Sequence, residues 1–120
     1  MQNEPLPVFI RFSDEFEKNL YTLSKKYRQI RSDVQPIIEQ LQGGNFIGDR
    51  IPGMGEKYVI FKLIIKNSNI QKGKSAGYRL IYQVESPTNV LLLTIYSKSD
   101  REDISPSEIR SILAEFDTER

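Results

Sequence analysis

Apolar positions change period several times along these 120 residues, and each change marks an element. Val8 to Phe12, "VFIRF", sets apolar residues around Arg11 between Pro7 and Ser13 and predicts a short strand. Phe16, Leu20, Leu23 and Tyr27 then recur at spacings of four, three and four, one face of a helix. Ser13 is its expected N-cap, with Asp14, Glu15 and Glu17 beside the positive end of the helix dipole. Lys25, Lys26 and Arg28 sit at the other end, where cations complement it. A second helix is expected to open at "SDVQP", with Ser32 and Gln35 as a capping box and Pro36 in the first turn. Val34, Ile37, Ile38 and Leu41 form its buried stripe, and Gly43–Gly44 stop it.

"GDRIPGMGEK", with three glycines and a proline, reads as loop. Three strand-like runs follow: Tyr58 to Lys66, Tyr78 to Glu85 and Val90 to Ser97, the last two joined by the short turn "SPTN". Ser105, Pro106 and Glu108 supply a capping box with proline at the first helical position, and Ile109, Ile112, Leu113 and Phe116 repeat at helical spacing. The predicted order is β-α-α-β-β-β-α over a single domain, residues 1–120. Its fold class is α+β, an antiparallel twisted sheet with helices packed on one face.

Composition removes several chemistries. There is no cysteine and no histidine, so disulfides, thiol nucleophiles and the usual neutral-pH base and zinc ligand are all excluded. The apolar run "VLLLTIY" is far short of the ~20 residues that span a bilayer. "MQNEPLPVF" lacks the basic start and apolar stretch of a secretion signal, so the expected address is the cytoplasm, with no membrane partner.

A net charge of +1 conceals an uneven distribution. Residues 1–55 carry 7 basic and 7 acidic groups, residues 56–100 carry 7 and 3, and residues 101–120 carry 3 and 6. The basic middle points to an anionic partner.

"KGKS" within that segment resembles a nucleotide cradle only superficially. A phosphate-binding P-loop needs glycine five positions before its Gly-Lys pair and a helix after it. Ser68 occupies that position, and a strand follows Ser75. Gly73 and Gly77 instead permit a hairpin turn that Lys72 and Lys74 keep solvated.

Arg79 is different, because it falls inside a strand. Alternation puts Tyr78, Leu80, Tyr82 and Val84 on one face and Arg79, Ile81 and Gln83 on the other. The preceding strand separates Phe61, Leu63 and Ile65 from Lys62, Ile64 and Lys66. In the last strand, Leu91, Leu93 and Ile95 are expected under helices, leaving Leu92, Thr94, Tyr96 and Lys98 opposite. One sheet face is thus expected to gather Lys62, Lys66, Arg79, Tyr96 and Lys98. Such a group suits a phosphodiester: arginine offers a bidentate fork, a lysine crowded by cations can act as a base, and an aromatic ring can stack on an unpaired base.

"GDRIPGMG", "FKLIIKN", "KGKSAGYRLIYQV" and "LLLTIYSKSDREDIS", with the element order, resemble the RelE/ParE toxin superfamily and most closely its HigB-like branch. The resemblance covers nearly the whole chain. It implies a toxin of a bacterial type II toxin–antitoxin system that cleaves mRNA on the ribosome without a metal or other cofactor. The 2′-hydroxyl would attack the adjacent phosphate. The implied partners are a cognate antitoxin, the ribosome and mRNA, with operator DNA reached only through the antitoxin complex. Arg79 matches the strand arginine that stabilises the transition-state phosphate, and Lys62 a strand lysine beside it. Lys98 lies in the basic segment after the last strand, with Arg101 nearby. Tyr96 or Tyr82 stands in as candidate base or stacking ring, Tyr82 being expected to face the core, while Lys66, Lys72, Lys74 and Arg101 are RNA-backbone contacts.

Two positions depart from the family pattern. Ile64 stands where many relatives carry a second basic residue, and Ser105, already explained as a cap, stands where a tyrosine is common. The near-neutral net charge departs as well. Alternatives of the same fold are a ParE-like inhibitor of DNA gyrase and a catalytically weakened binding module.

Overall fold

The computed structural model describes residues 6–70 and 76–119. Strand β1 (Phe9–Phe12) turns at once into helix α1 (Asp14–Lys26). Ser13 makes the turn: its Oγ accepts the Phe16 N–H at 3.0 Å and donates to the Leu93 carbonyl at 2.6 Å. One side chain therefore caps α1 and ties it to the sheet, as its cap position predicts.

Helix α2 (Ile30–Gln42) starts earlier than the Ser32 box anticipates. Its N-cap is Gln29, and the Ser32 hydroxyl donates back to the Gln29 carbonyl at 2.9 Å. The cause is tertiary: Ile30 is fully buried beside Tyr27, so the first turn forms where that apolar contact is made. Pro36 consequently lies inside the helix. Gly43 caps the C-terminus, and Gly44 at φ +87° carries the chain away.

The glycine-rich segment, expected to be loop throughout, contributes a two-residue strand, β2 (Asp49–Arg50). Strands β3 (Ile60–Ile65), β4 (Tyr78–Ser86) and β5 (Asn89–Ser97) follow, then helix α3 (Pro106–Glu119). Sheet order is β1-β5-β4-β3-β2. Neighbours pair antiparallel except β1 and β5, which are parallel. The sheet is therefore mixed, not antiparallel. Helix α1 packs against β5, and β1 lies beside β5 in the same direction.

Helices cover both faces, which corrects the one-face arrangement. Phe16, Ile30, Val34 and Leu41 of α1 and α2 pack with Leu63, Leu80, Tyr82 and Leu92 on one side. Ile109 and Leu113 of α3 pack with Ile60, Ile81, Leu91, Leu93 and Tyr96 on the other. The reason is visible in "VLLLTIY", whose apolar residues do not alternate with polar ones and so demand cover on both sides.

A bulge decides which face Tyr96 joins. Ile81 pairs with Thr94 and Tyr82 with Leu92, leaving Leu93 as an extra residue in β5. Before it, Val90 and Leu92 face α1 and α2; after it, Ile95 does. Leu91, Leu93 and Tyr96 face α3. The expectation that Leu91, Leu93 and Ile95 share one face thus fails at the bulge, because strict alternation holds only in an unbroken ladder.

Gly77 has a steric role. A Cβ there would stand 2.1 Å from the Ile65 carbonyl oxygen, so only glycine lets β4 approach β3 so closely.

Candidate functional site

Lys62, Arg79 and Tyr96 come from three adjacent strands and share the face of the sheet that α3 covers. Lys62 pairs with Ile81, and Arg79 pairs with Ile64 on one side and Tyr96 on the other. Alternation on β3 and β4 held as the sequence implied, because Leu63, Ile65, Tyr78, Leu80 and Tyr82 all sit in the opposite core. Tyr82 is fully buried there, and its hydroxyl donates to the Ile47 carbonyl.

Arg79 is only 8% exposed, so its charge is sheltered by the strands that hold it. Its Nη1 donates to the Tyr78 carbonyl at 3.4 Å. Ile64, its cross-strand neighbour, is 42% exposed and forms an apolar step beside the cations. Lys62 meets a carboxylate: its Nζ lies 3.6 Å from Asp103 Oδ1. This partner removes the premise that Lys62 is crowded by cations alone.

The segment between β5 and α3 closes the site. The Arg101 guanidinium lies 5.2 Å from the centre of the Tyr96 ring. Its Nε and Nη2 donate to the Asp103 carbonyl at 3.0 and 2.8 Å, and Nη2 contacts both Glu108 carboxylate oxygens at 2.9 Å. Glu108 belongs to the capping box, since its N–H donates to Ser105 Oγ at 3.2 Å. The α3 N-terminus, Arg101 and the Tyr96 ring thus form one braced unit.

Electrostatics set the role of each group. Burial pushes the Tyr96 phenol up to about 12, the Asp103 carboxylate adds to this, and the Arg101 and Arg79 cations oppose it. At neutral pH the Tyr96 phenol therefore keeps its proton. The Ile104 N–H and then Lys62 hold the Asp103 carboxyl below the usual carboxylate range. Arg101 and the Ser105 N–H do the same for Glu108.

The other expected contacts divide. Lys98 is half-buried just beyond β5, and its Nζ donates to the Glu102 carbonyl at 2.8 Å, bracing its own loop. Lys66 is exposed past the end of β3, outside the cluster. Lys72 and Lys74 lie outside the described residues. Asp103 and Glu108 were missed as site residues. Their signal was present in "SDREDISPSE", where acidic residues flank Arg101 at the mouth of a helix.

The sequence matches no protein-family model and no curated protein. No described helix is long and apolar enough to cross a membrane.

Proposed function

We propose that this chain is a toxin of a bacterial type II toxin–antitoxin system of the RelE/ParE kind, HigB-like, acting in the cytoplasm as a ribosome-dependent mRNA endonuclease. One observation carries the reading: Lys62, Arg79 and Tyr96 project from adjacent strands to one sheet face, beside Arg101. Two cations, a protonated phenol and an apolar step at Ile64 match what a scissile phosphodiester and its neighbouring base require.

In this mechanism the 2′-hydroxyl oxygen attacks the adjacent phosphorus as its proton passes to water, and the bond from phosphorus to the 5′-oxygen breaks, leaving a 2′,3′-cyclic phosphate and a free 5′-hydroxyl. Arg79 and Lys62 neutralise the charge that develops on the phosphoryl oxygens. Tyr96, protonated up to about pH 12, donates its proton toward the departing oxygen. Arg101 holds the Tyr96 ring and the α3 end in place. The remaining basic residues grip RNA backbone, and an antitoxin would neutralise the chain by covering this face.

A specific observation favours a second reading, a phosphate-binding module with weak or no cleavage. The phenol is tuned far above neutrality, and Asp103 and Glu108, each with its carboxyl lowered, offset the cations nearby. Induced expression in a host without the antitoxin separates the two. Growth arrest with cuts in translated mRNA supports the endonuclease. Normal growth supports the binding module, and arrest with inhibited gyrase supercoiling and intact mRNA overturns both.

A further inference from the structure

Three donors converge on a single oxygen in the candidate site. Asp103 Oδ1 accepts the Ile104 N–H at 2.8 Å and the Tyr96 hydroxyl at 3.4 Å, and lies 3.6 Å from Lys62 Nζ. A backbone N–H, a phenol and an ammonium around one anionic oxygen are the environment a phosphoryl oxygen seeks. Asp103 provides that oxygen from within the chain.

We propose that Asp103 is a built-in anion that fills the phosphate position at rest, and that a substrate phosphate displaces it to take over its donors. The Ile104 N–H then becomes a backbone ligand of the substrate. The inference rests on the phosphate-site reading above, and concerns how that site is kept closed.

The geometry makes the exchange feasible. The Asp103 side chain is 65% exposed, so it can swing into water without disturbing the core. Its backbone stays fixed, because Arg101 holds the Asp103 carbonyl and is itself held by Glu108. The donors therefore remain in place while the carboxylate leaves. An exposed ion pair holds its partners only weakly, so self-occupancy reduces phosphate affinity by a factor of about two to five.

The test is binding of a short, fluorescently labelled single-stranded RNA whose 2′-O-methyl groups prevent cleavage. Asp103→Asn keeps an acceptor for the Ile104 N–H and the Tyr96 hydroxyl, and removes only the charge. It is expected to bind about two- to fivefold more tightly than the natural chain. Glu102→Gln, the same charge change one residue away, is expected to leave binding within about 1.5-fold, since exposed charges away from the phosphate are screened. Combining Asp103→Asn with Lys62→Gln is expected to erase the gain. In the natural chain, the Ile104 amide resonance should shift on RNA addition, a readout that needs no variant. Equal or weaker binding by Asp103→Asn, or an equal gain from Glu102→Gln, overturns the proposal and leaves the phosphate site standing. Failure of both the natural chain and Asp103→Asn to bind, with the RNA free and with it presented on the ribosome, overturns the phosphate site with it.

Discussion

Arg79 on β4 and Tyr96 on β5 are cross-strand partners, and they meet on the α3 side only because Leu93 is an extra residue in β5. Without that bulge, alternation from Leu92 onward would turn Tyr96 toward α1 and α2. A local irregularity of the sheet thus assembles the site.

The bulge is pinned by Ser13, whose hydroxyl donates to the Leu93 carbonyl while accepting the Phe16 N–H. Ser13→Ala removes a helix cap and a buried hydrogen bond together. We expect a loss of about 1–3 kcal/mol, measured by urea unfolding. A loss below about 0.5 kcal/mol would show that the bulge holds without it.

Burial raises the phenols of Tyr78, Tyr82 and Tyr96 above the ordinary value of 10.0. A group that holds its proton more tightly when folded stabilises the fold below its unfolded pKa. That contribution fades as pH rises from 10 through the folded value, which for Tyr96 is about 12. Ultraviolet titration should therefore show these tyrosinates appearing late, with stability falling across the same alkaline range. Simultaneous ionisation of all tyrosines near pH 10, with the fold intact, would contradict this.

Two glycines near the site are sterically required. A Cβ at Gly77 would meet the Ile65 carbonyl oxygen at 2.1 Å, and one at Gly48, φ +113°, would meet the Lys62 carbonyl oxygen at 2.6 Å. Alanine at either should cost about 2 kcal/mol or more in chemical unfolding. Gly44→Ala has a positive φ but open space around it, so about 1 kcal/mol is expected there. Equal losses at all three positions would mean the close approaches relax freely.

Much of this arrangement was legible in the sequence. Lys62 and Arg79 fall on a common face by the period of two alone, because the β3–β4 ladder runs without a bulge. The Ser13 and Ser105 caps followed from local hydrogen-bonding chemistry and proved correct. What local pattern does not encode is long-range pairing. The parallel β1–β5 contact joins residues some eighty positions apart, and nothing in "VFIRF" specifies its partner. The Leu93 bulge hides inside a run of leucines, where either face is apolar. Asp103 is one acidic residue among several in "SDREDIS", and its contact with Lys62 depends on how the loop before α3 folds back.

The central claim is that Arg79, held in a strand, stabilises charge on an RNA phosphate. It is tested most directly by mapping and timing cuts in mRNA on translating ribosomes with purified protein. The natural chain, Arg79→Lys and Arg79→Ala would be compared at equal folded fraction. The account predicts cutting by the natural chain and a fall of about 10²–10³ in rate for Arg79→Ala. Arg79→Lys should restore only part of it, since a lysine lacks the bidentate fork. Undiminished cutting by Arg79→Ala would contradict the account.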